Sequence, residues 1–203
     1  MSQPAKTEAN PSALVIGSGF GGAMAAHALI EAGWRVTLVE RGGWVARGPQ
    51  NWAPDAVGNL GPHYVGQDLY ADTTGGRRRA VGAYHCVGGP SVFYGGVSLR
   101  FREADFLPND AIDGDSGACW PFGYGTLEPH YARAESLLGV AGVAGEDPTE
   151  PWRSAPYPAP PLPLAPVSER IAAAARDLGL QPFRLPLALN TVERPGRHAC
   201  VAC

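Results

Sequence analysis

The sequence predicts an α/β fold that opens on a βαβ unit, and three stretches within its first 40 residues carry that prediction. A short apolar run, Ala13-Leu14-Val15-Ile16, ends in glycines, the pattern of a strand buried on both faces. From Gly21 to Ala32 the residues are mostly Ala, Leu, Ile and Met, good helix formers, and Gly33 stands where a helix C′ residue belongs. Arg35-Val36-Thr37-Leu38-Val39 is β-branched and apolar and reads as a second strand. Strand, glycine turn, helix and strand fit within about 30 residues, the span of a βαβ unit.

The remaining elements follow in order. Residues 1–11 are polar and Pro-containing and are expected to form a loose arm ahead of a first region, 12–147. Residues 42–85 are rich in Gly, Pro, Asn and Asp with little periodicity, which predicts extended loops and short strands. Thr126 is expected to cap a helix running to Leu138, with Leu127, Tyr131, Ala134 and Leu138 on its buried face. Residues 148–167 hold eight prolines between Pro148 and Pro166, so they read as a surface excursion or a linker. Ser168 then opens a helix over Glu169–Leu178, closed by Gly179, at the start of a last region, 168–203. Nothing closes the chain after Cys200-Val201-Ala202-Cys203, and the second region is expected to be incomplete.

Composition narrows the function. The chain has 203 residues and 21.3 kDa, 45% hydrophobic and 17% charged, enough apolar surface for a core. A net charge of −3 and a pI near 5.9 leave no electrostatic footprint for nucleic acid, and Arg77-Arg78-Arg79 reads as a solvated loop. Ala13 to Ile30 is free of charge over 18 residues, near the length of a membrane span, but Gly17-Ser18-Gly19-Phe20-Gly21-Gly22 at its centre suits no lipid-facing helix. A secretory signal cleaved near Ala23-Met24-Ala25 is opposed by Glu8 and Asn10 and by the brevity of the apolar run. Four cysteines are too few for a disulfide scaffold, so a reducing, cytoplasmic location is expected.

The chemistry begins with Gly17-x-Gly19-x-x-Gly22, placed after a strand and opening a helix, with Glu40 at the end of the second strand. Gly17 permits the tight turn, Gly19 leaves room for a pyrophosphate at the backbone, and Gly22 lets the helix pack on the strand. The pyrophosphate would lie on free N–H groups at the positive helix end, beside Ser18, Phe20 and Gly21. Glu40 would accept hydrogen bonds from the adenosine ribose and repel a 2′-phosphate; Arg41 follows it and is expected to point elsewhere. No Gly-Lys-Ser/Thr follows the loop, which excludes a P-loop nucleotidase. The βαβ unit alone does not separate FAD from NAD, and a short non-catalytic dinucleotide-binding module stays open beside an NAD-dependent dehydrogenase.

A second glycine-rich segment separates them. Gly88-Gly89-Pro90-Ser91-Val92-Phe93-Tyr94-Gly95-Gly96 lets backbone approach a flat or anionic ligand. In its place after the first glycine loop it resembles the flavin-contacting segment of the glucose–methanol–choline (GMC) oxidoreductases. Trp120-Pro121-Phe122-Gly123-Tyr124, continuing to Leu138-Gly139-Val140, is similar to that family's Trp-Pro lead into a helix. His198 with Cys200-x-x-Cys203 resembles a cysteine-rich stretch in some bacterial members. The resemblance implies a Rossmann-like FAD-binding domain with long loop excursions, truncated before the substrate domain is complete. It implies FAD as cofactor, a small-molecule alcohol or sugar as substrate of the complete enzyme, and hydride transfer to the flavin. Gly17, Gly19, Gly22 and Glu40 would hold the ADP half, with Gly88, Gly89, Ser91, Gly95 and Gly96 along the pyrophosphate and isoalloxazine. Many relatives carry Asn where Tyr94 stands, and Phe93 replaces a histidine that bonds FAD covalently in some, so the FAD here is expected to be non-covalent. The family's catalytic base, a histidine with a partner His or Asn, lies far toward the C-terminus of members more than twice as long, and no residue here matches that pair.

The other reactive side chains read as structural. His27, His63, His85, His130 and His198 are not expected to act as bases, and Cys86 and Cys119 read as small buried apolar residues. Cys200-x-x-Cys203 has the spacing of a zinc pair or a redox dithiol, but with only His198 nearby no metal site is expected. Asp110, Asp113 and Asp115 lack calcium-loop spacing and read as a solvated turn. Substrate, electron acceptor (oxygen, quinone or cytochrome) and oligomeric state are not encoded in any motif.

Overall fold

A computed structural model describes residues 10–48, 63–65, 69–71, 78–80, 82–109 and 114–200, with no side-chain description at 65, 69–71, 78–80 and 115. The chain divides into two compact units, Met1–Tyr94 and Gly95–Cys203.

The first unit is built on the expected βαβ. Strand β1, Ser12–Ile16, lies parallel to β2, Arg35–Val39, in a register that sets Ala13 beside Val36 and Ile16 beside Val39. Helix α1, Phe20–Glu31, crosses between them; its small residues let it lie close to the sheet, and Ala26 is buried. The helix stops at Gly33, whose φ of 82° is the left-handed value that glycine takes at low cost. Gly33 N and Trp34 N donate to Ile30 O and Leu29 O, so the last carbonyls are satisfied as the chain turns into β2. The Ala13–Ile30 stretch is thus a strand, a turn and most of a helix. Among the described residues no helix is long and apolar enough to cross a membrane.

Short strands complete the unit: β3, Tyr64–Val65, pairs antiparallel with β6, Ala83–Tyr84, and β4, Leu69–Ala71, pairs with β5, Arg78–Ala80. Arg78 and Arg79 therefore lie in a strand, not in the loop expected for the arginine run; Arg77 lies outside the described residues. So do residues 1–9 of the expected arm, Asp110, Asp113 and Cys203.

The second unit is cored by main-chain bridges from Val97 to Leu187 and from Ala141 to both Leu187 and Ala159, around the buried Val140, Ala141 and Ala159. Helix α2, Tyr124–Leu138, begins two residues before the expected Thr126, capped by Gly123 and closed by Gly139 at φ 74°. Its buried face is Tyr124, Glu128 and Glu135, not the apolar stripe expected. The reason is electrostatic. Arg100 Nε and Nη2 bond Glu135 at 2.7 and 2.8 Å, Arg100 Nη1 bonds Tyr124 and Glu128 at 2.9 and 3.1 Å, and Arg153 Nη2 bonds Glu135 at 2.5 Å. Buried charges are tolerated when each is paired and hydrogen-bonded, and these are.

Helix α3, Pro166–Asp177, starts earlier than expected, because Pro166 sits at a first-turn position where its missing N–H costs nothing. The Pro-rich stretch is not a linker between units. It lies inside the second one, where Gly142 N donates to Ala159 O at 3.0 Å and Ser154 donates through N and Oγ to Glu128 at 2.8 Å.

Candidate functional site

The parallel pair β1–β2 brings the Gly17–Gly22 turn and Glu40 to the same end of the sheet. Gly17, at φ 93°, donates its N–H to Val39 O at 2.8 Å and so closes the turn against the end of β2. A Cβ on Gly22 would collide with the carbonyl of Gly17 and touch Val15, which is the close helix–strand packing predicted for that glycine. Gly17 and Gly21 have nothing within 4 Å of an added Cβ, and Gly19 only Gly88 O at 3.8 Å. The loop therefore presents bare backbone. Among the described residues no side chain caps α1, and its first turn holds no acid, so its N–H groups have no intrahelical acceptor and suit an anion.

Glu40 is held by the same loop. Its Oε2 accepts from Ser18 N at 2.9 Å and Ser18 Oγ at 2.7 Å, and its Oε1 accepts from Arg41 N at 2.7 Å and Gly42 N at 3.3 Å. The Ser18 hydroxyl bond, followed by the Ser18 N–H, brings the carboxyl down to about 2. Glu40 is accordingly an anion throughout the physiological range.

The second glycine segment meets the first on this edge. Gly43 and Cys86 form a bridge, Val87 N donates to Gly43 O at 2.9 Å, and a Cβ on Gly42 would collide with the His85–Cys86 backbone. Gly88, at φ 90°, donates to Ser18 Oγ at 2.8 Å, while Ser91 Oγ donates to Gly88 O at 2.6 Å and stabilises the 3₁₀ turn Gly89–Val92. Burial pushes the Cys86 thiol up, with its Gly89 contact and the Glu40 charge as lesser influences; the residue is fully buried, as expected of an apolar filler. Between these walls lies a cleft of about 550 Å³, whose lining includes Gly17, Gly19, Glu40, Arg41, Tyr84 and Gly89.

The structure thus brings together Gly17, Ser18, Gly19, Glu40, Arg41, Gly88 and Gly89. Gly22 packs the helix, and Ser91 shapes the turn. Phe20 and Tyr94 meet edge to face at 5.1 Å. Arg41 lines the cleft, against the expectation that it points elsewhere. Gly95 and Gly96 fall in the second unit, where Gly96 O accepts from Ala188 N at 2.7 Å. Tyr84 is a lining residue that no motif marked, although it lies four residues before the glycine segment, and Pro90 lines the cleft from within that segment.

This is the geometry of a dinucleotide-binding α/β domain, and a match to the NAD(P)-binding Rossmann-like domain covers residues 15–71. Paromamine 6'-oxidase of Streptomyces fradiae is 35% identical over 193 residues, covering 92% of this chain and 32% of the relative. The 2-methyl-1,2-propanediol dehydrogenase of Mycolicibacterium austroafricanum is 30% identical over 202 residues, covering 93% and 35%. The relatives are oxidoreductases of the glucose–methanol–choline type, and this chain is similar to their N-terminal part. It spans about a third of the length of the curated relatives it matches. An FAD-dependent oxidoreductase from Chaetomium thermophilum shares the fold, with a TM-score of 0.51 at 20% identity over 90% of this chain and 34% of that one.

Proposed function

We propose that this chain forms the FAD-binding portion of an oxidoreductase that oxidises a hydroxyl group of a small alcohol or sugar. The observation that carries the reading is the cleft on which the uncapped start of α1, the ionised Glu40 and the Gly88–Pro90 turn converge. The residues fit the ADP half of FAD: bare glycine backbone for the pyrophosphate and a carboxylate for the ribose hydroxyls. The same negative charge repels a 2′-phosphate. When bound, FAD supplies the acceptor for a hydride from the carbon that bears the hydroxyl.

The chain's own residues bind and orient. The N–H groups of Phe20, Gly21 and Gly22, at the positive end of the α1 dipole, would hold the pyrophosphate. Glu40 fixes the adenosine end, and Gly88, Gly89 and Ser91 form the opposite wall. Gly95, Gly96 and Tyr94 are proposed as flavin neighbours on the sequence resemblance. With Phe93 where a covalent histidine stands in some family members, the FAD is held non-covalently. Relatives named for paromamine, 2-methyl-1,2-propanediol and fructose support a polyol or sugar as substrate. The small number of cysteines, four in 203 residues, supports a reducing, cytoplasmic compartment.

The test is to purify the full chain as its gene encodes it, denature it, and ask which fraction carries the flavin. FAD is expected free in solution. Flavin remaining on the precipitated polypeptide would overturn the non-covalent reading, and a colourless protein that binds NAD instead would overturn the flavin reading. Glu40→Ala is expected to weaken FAD binding by about 1–3 kcal/mol, the range for charge-assisted hydrogen bonds. Unchanged affinity by titration would remove Glu40 from the ribose site.

A further inference from the structure

We propose that Ser18 is a positioning residue whose hydroxyl ties the Gly88 segment to Glu40 and holds that carboxylate in place as the ribose acceptor. The inference rests on the FAD reading above and deepens it. Ser18 was grouped with the phosphate loop by sequence, but its side chain turns away from that task. Its Oγ–H donates to Glu40 Oε2 at 2.7 Å, and its lone pair accepts from Gly88 N at 2.8 Å, a residue 70 positions away. One hydroxyl therefore joins the three parts of the site: the helix-opening turn, the end of β2 and the second glycine segment.

The chemistry requires a group of this kind. A serine hydroxyl donates and accepts at once, so it can serve an N–H on one side and a carboxylate on the other; an alanine would take this acceptor from the Gly88 N–H and leave Glu40 Oε2 with the backbone N–H of residue 18 alone. With the Ser18 N–H, it gives Oε2 two donors from a single residue, which fixes the carboxylate plane. Oε1 is anchored by Arg41 N at 2.7 Å and more loosely by Gly42 N at 3.3 Å. A ribose hydroxyl can take the place of the loose donor while Ser18 keeps the carboxylate aimed. Preorganisation of this sort lowers the ordering that binding would otherwise require.

The hydroxyl also controls when Glu40 can accept. It is the foremost cause of the lowered carboxyl, so its removal returns Glu40 toward its ordinary value of 4.5. The groups near Glu40 are Arg41 beside it, Tyr84 across the cleft, and His85 and Cys86 at the Gly42–Gly43 crossing. All four are common to wild type and variant, so a difference in pH dependence isolates Ser18.

The experiment titrates FAD into the apoprotein of the full chain between pH 7 and pH 4, for wild type, Ser18→Ala and Ser18→Thr. Wild type is expected to bind with affinity nearly independent of pH. Ser18→Ala is expected to bind about tenfold more weakly at pH 7. Its affinity should fall further as pH drops through the ordinary carboxylate range, because a protonated Glu40 no longer accepts at that oxygen. Ser18→Thr, which keeps the hydroxyl, should restore both the affinity and the flat profile. A Ser18→Ala protein with wild-type affinity and a flat profile would overturn the positioning role while leaving the FAD site intact. A wild-type apoprotein that takes up no FAD would overturn the FAD reading itself, and with it this one. Should Ser18→Ala fail to fold, amide exchange in the wild-type apoprotein decides: protection at Gly88 N–H supports the bridge, and exchange at the rate of an open loop refutes it.

Discussion

The two units use polar groups in opposite ways. In the first, backbone and carboxylate are gathered at one end of a small parallel sheet, and among the described residues no side chain caps the N–H groups opening α1. In the second, Arg100, Glu128 and Glu135 are buried at 4%, 3% and 6% exposure, and their hydrogen-bonding capacity is spent inside the protein. Burial alone would lower the Arg100 pKa, but its bonds to Glu135, Tyr124 and Glu128 reverse that, and the guanidinium stays charged. An unpaired polar surface costs stability unless water or a ligand meets it, whereas a paired buried network is a fixed strut. Function is therefore to be sought in the first unit and rigidity in the second.

The sharpest way to break the comparison is to unpair the strut. Arg100→Leu leaves buried Glu128 without a cation and buried Glu135 with Arg153 alone, and a loss of about 3–5 kcal/mol in unfolding free energy is expected. Denaturant unfolding of the full chain measures it; a loss under about 1 kcal/mol would mean that water already reaches the network. The next test separates two glycines three residues apart. Gly22→Ala drives a Cβ into the Gly17 carbonyl and is expected to cost about 1–3 kcal/mol of stability. Gly19→Ala meets only Gly88 O at 3.8 Å and should change stability by no more than about 0.5 kcal/mol while weakening FAD binding. Equal stability losses at both positions would end the distinction between a packing glycine and a cradle glycine.

Legibility in the sequence follows the same division. The βαβ unit was readable because each of its signals is local: apolar runs of strand length, an alanine-rich helix, and glycines where φ turns positive or a Cβ would collide. Ser18 was readable as a loop residue but not as a bridge, since its partner Gly88 is joined to it only by the fold. The α2 face was misjudged because periodicity treats glutamate as outward-facing. Glu128 and Glu135 are turned inward by Arg100 and Arg153, which are distant in sequence. The Pro-rich stretch was equally opaque. Proline forbids helix and central strand but does not prevent the segment from packing its carbonyls and N–H groups against a neighbour, as Ala159 and Ser154 do.

The smallest expected effect tests whether burial, more than pairing itself, gives the second unit its strength. Glu146 accepts from Arg184 N at 3.2 Å and from Arg184 Nε at 3.1 Å, and both side chains are about a third exposed. The Arg184 hydrogen bond is the main cause that holds Glu146 below the ordinary carboxylate value of 4.5, against the opposing pull of partial burial. A lowered carboxyl contributes stability that is fully present above 4.5 and is lost as pH falls through its lower folded value. Water and salt screen such a pair, so Glu146→Gln is expected to cost no more than about 1 kcal/mol at neutral pH. The loss should shrink in high salt and disappear in acid, where the wild-type carboxyl is itself neutral. Paired unfolding curves at low and high ionic strength measure it. A cost equal to that of Arg100→Leu, insensitive to salt, would show that ion pairing stabilises this unit without the help of burial.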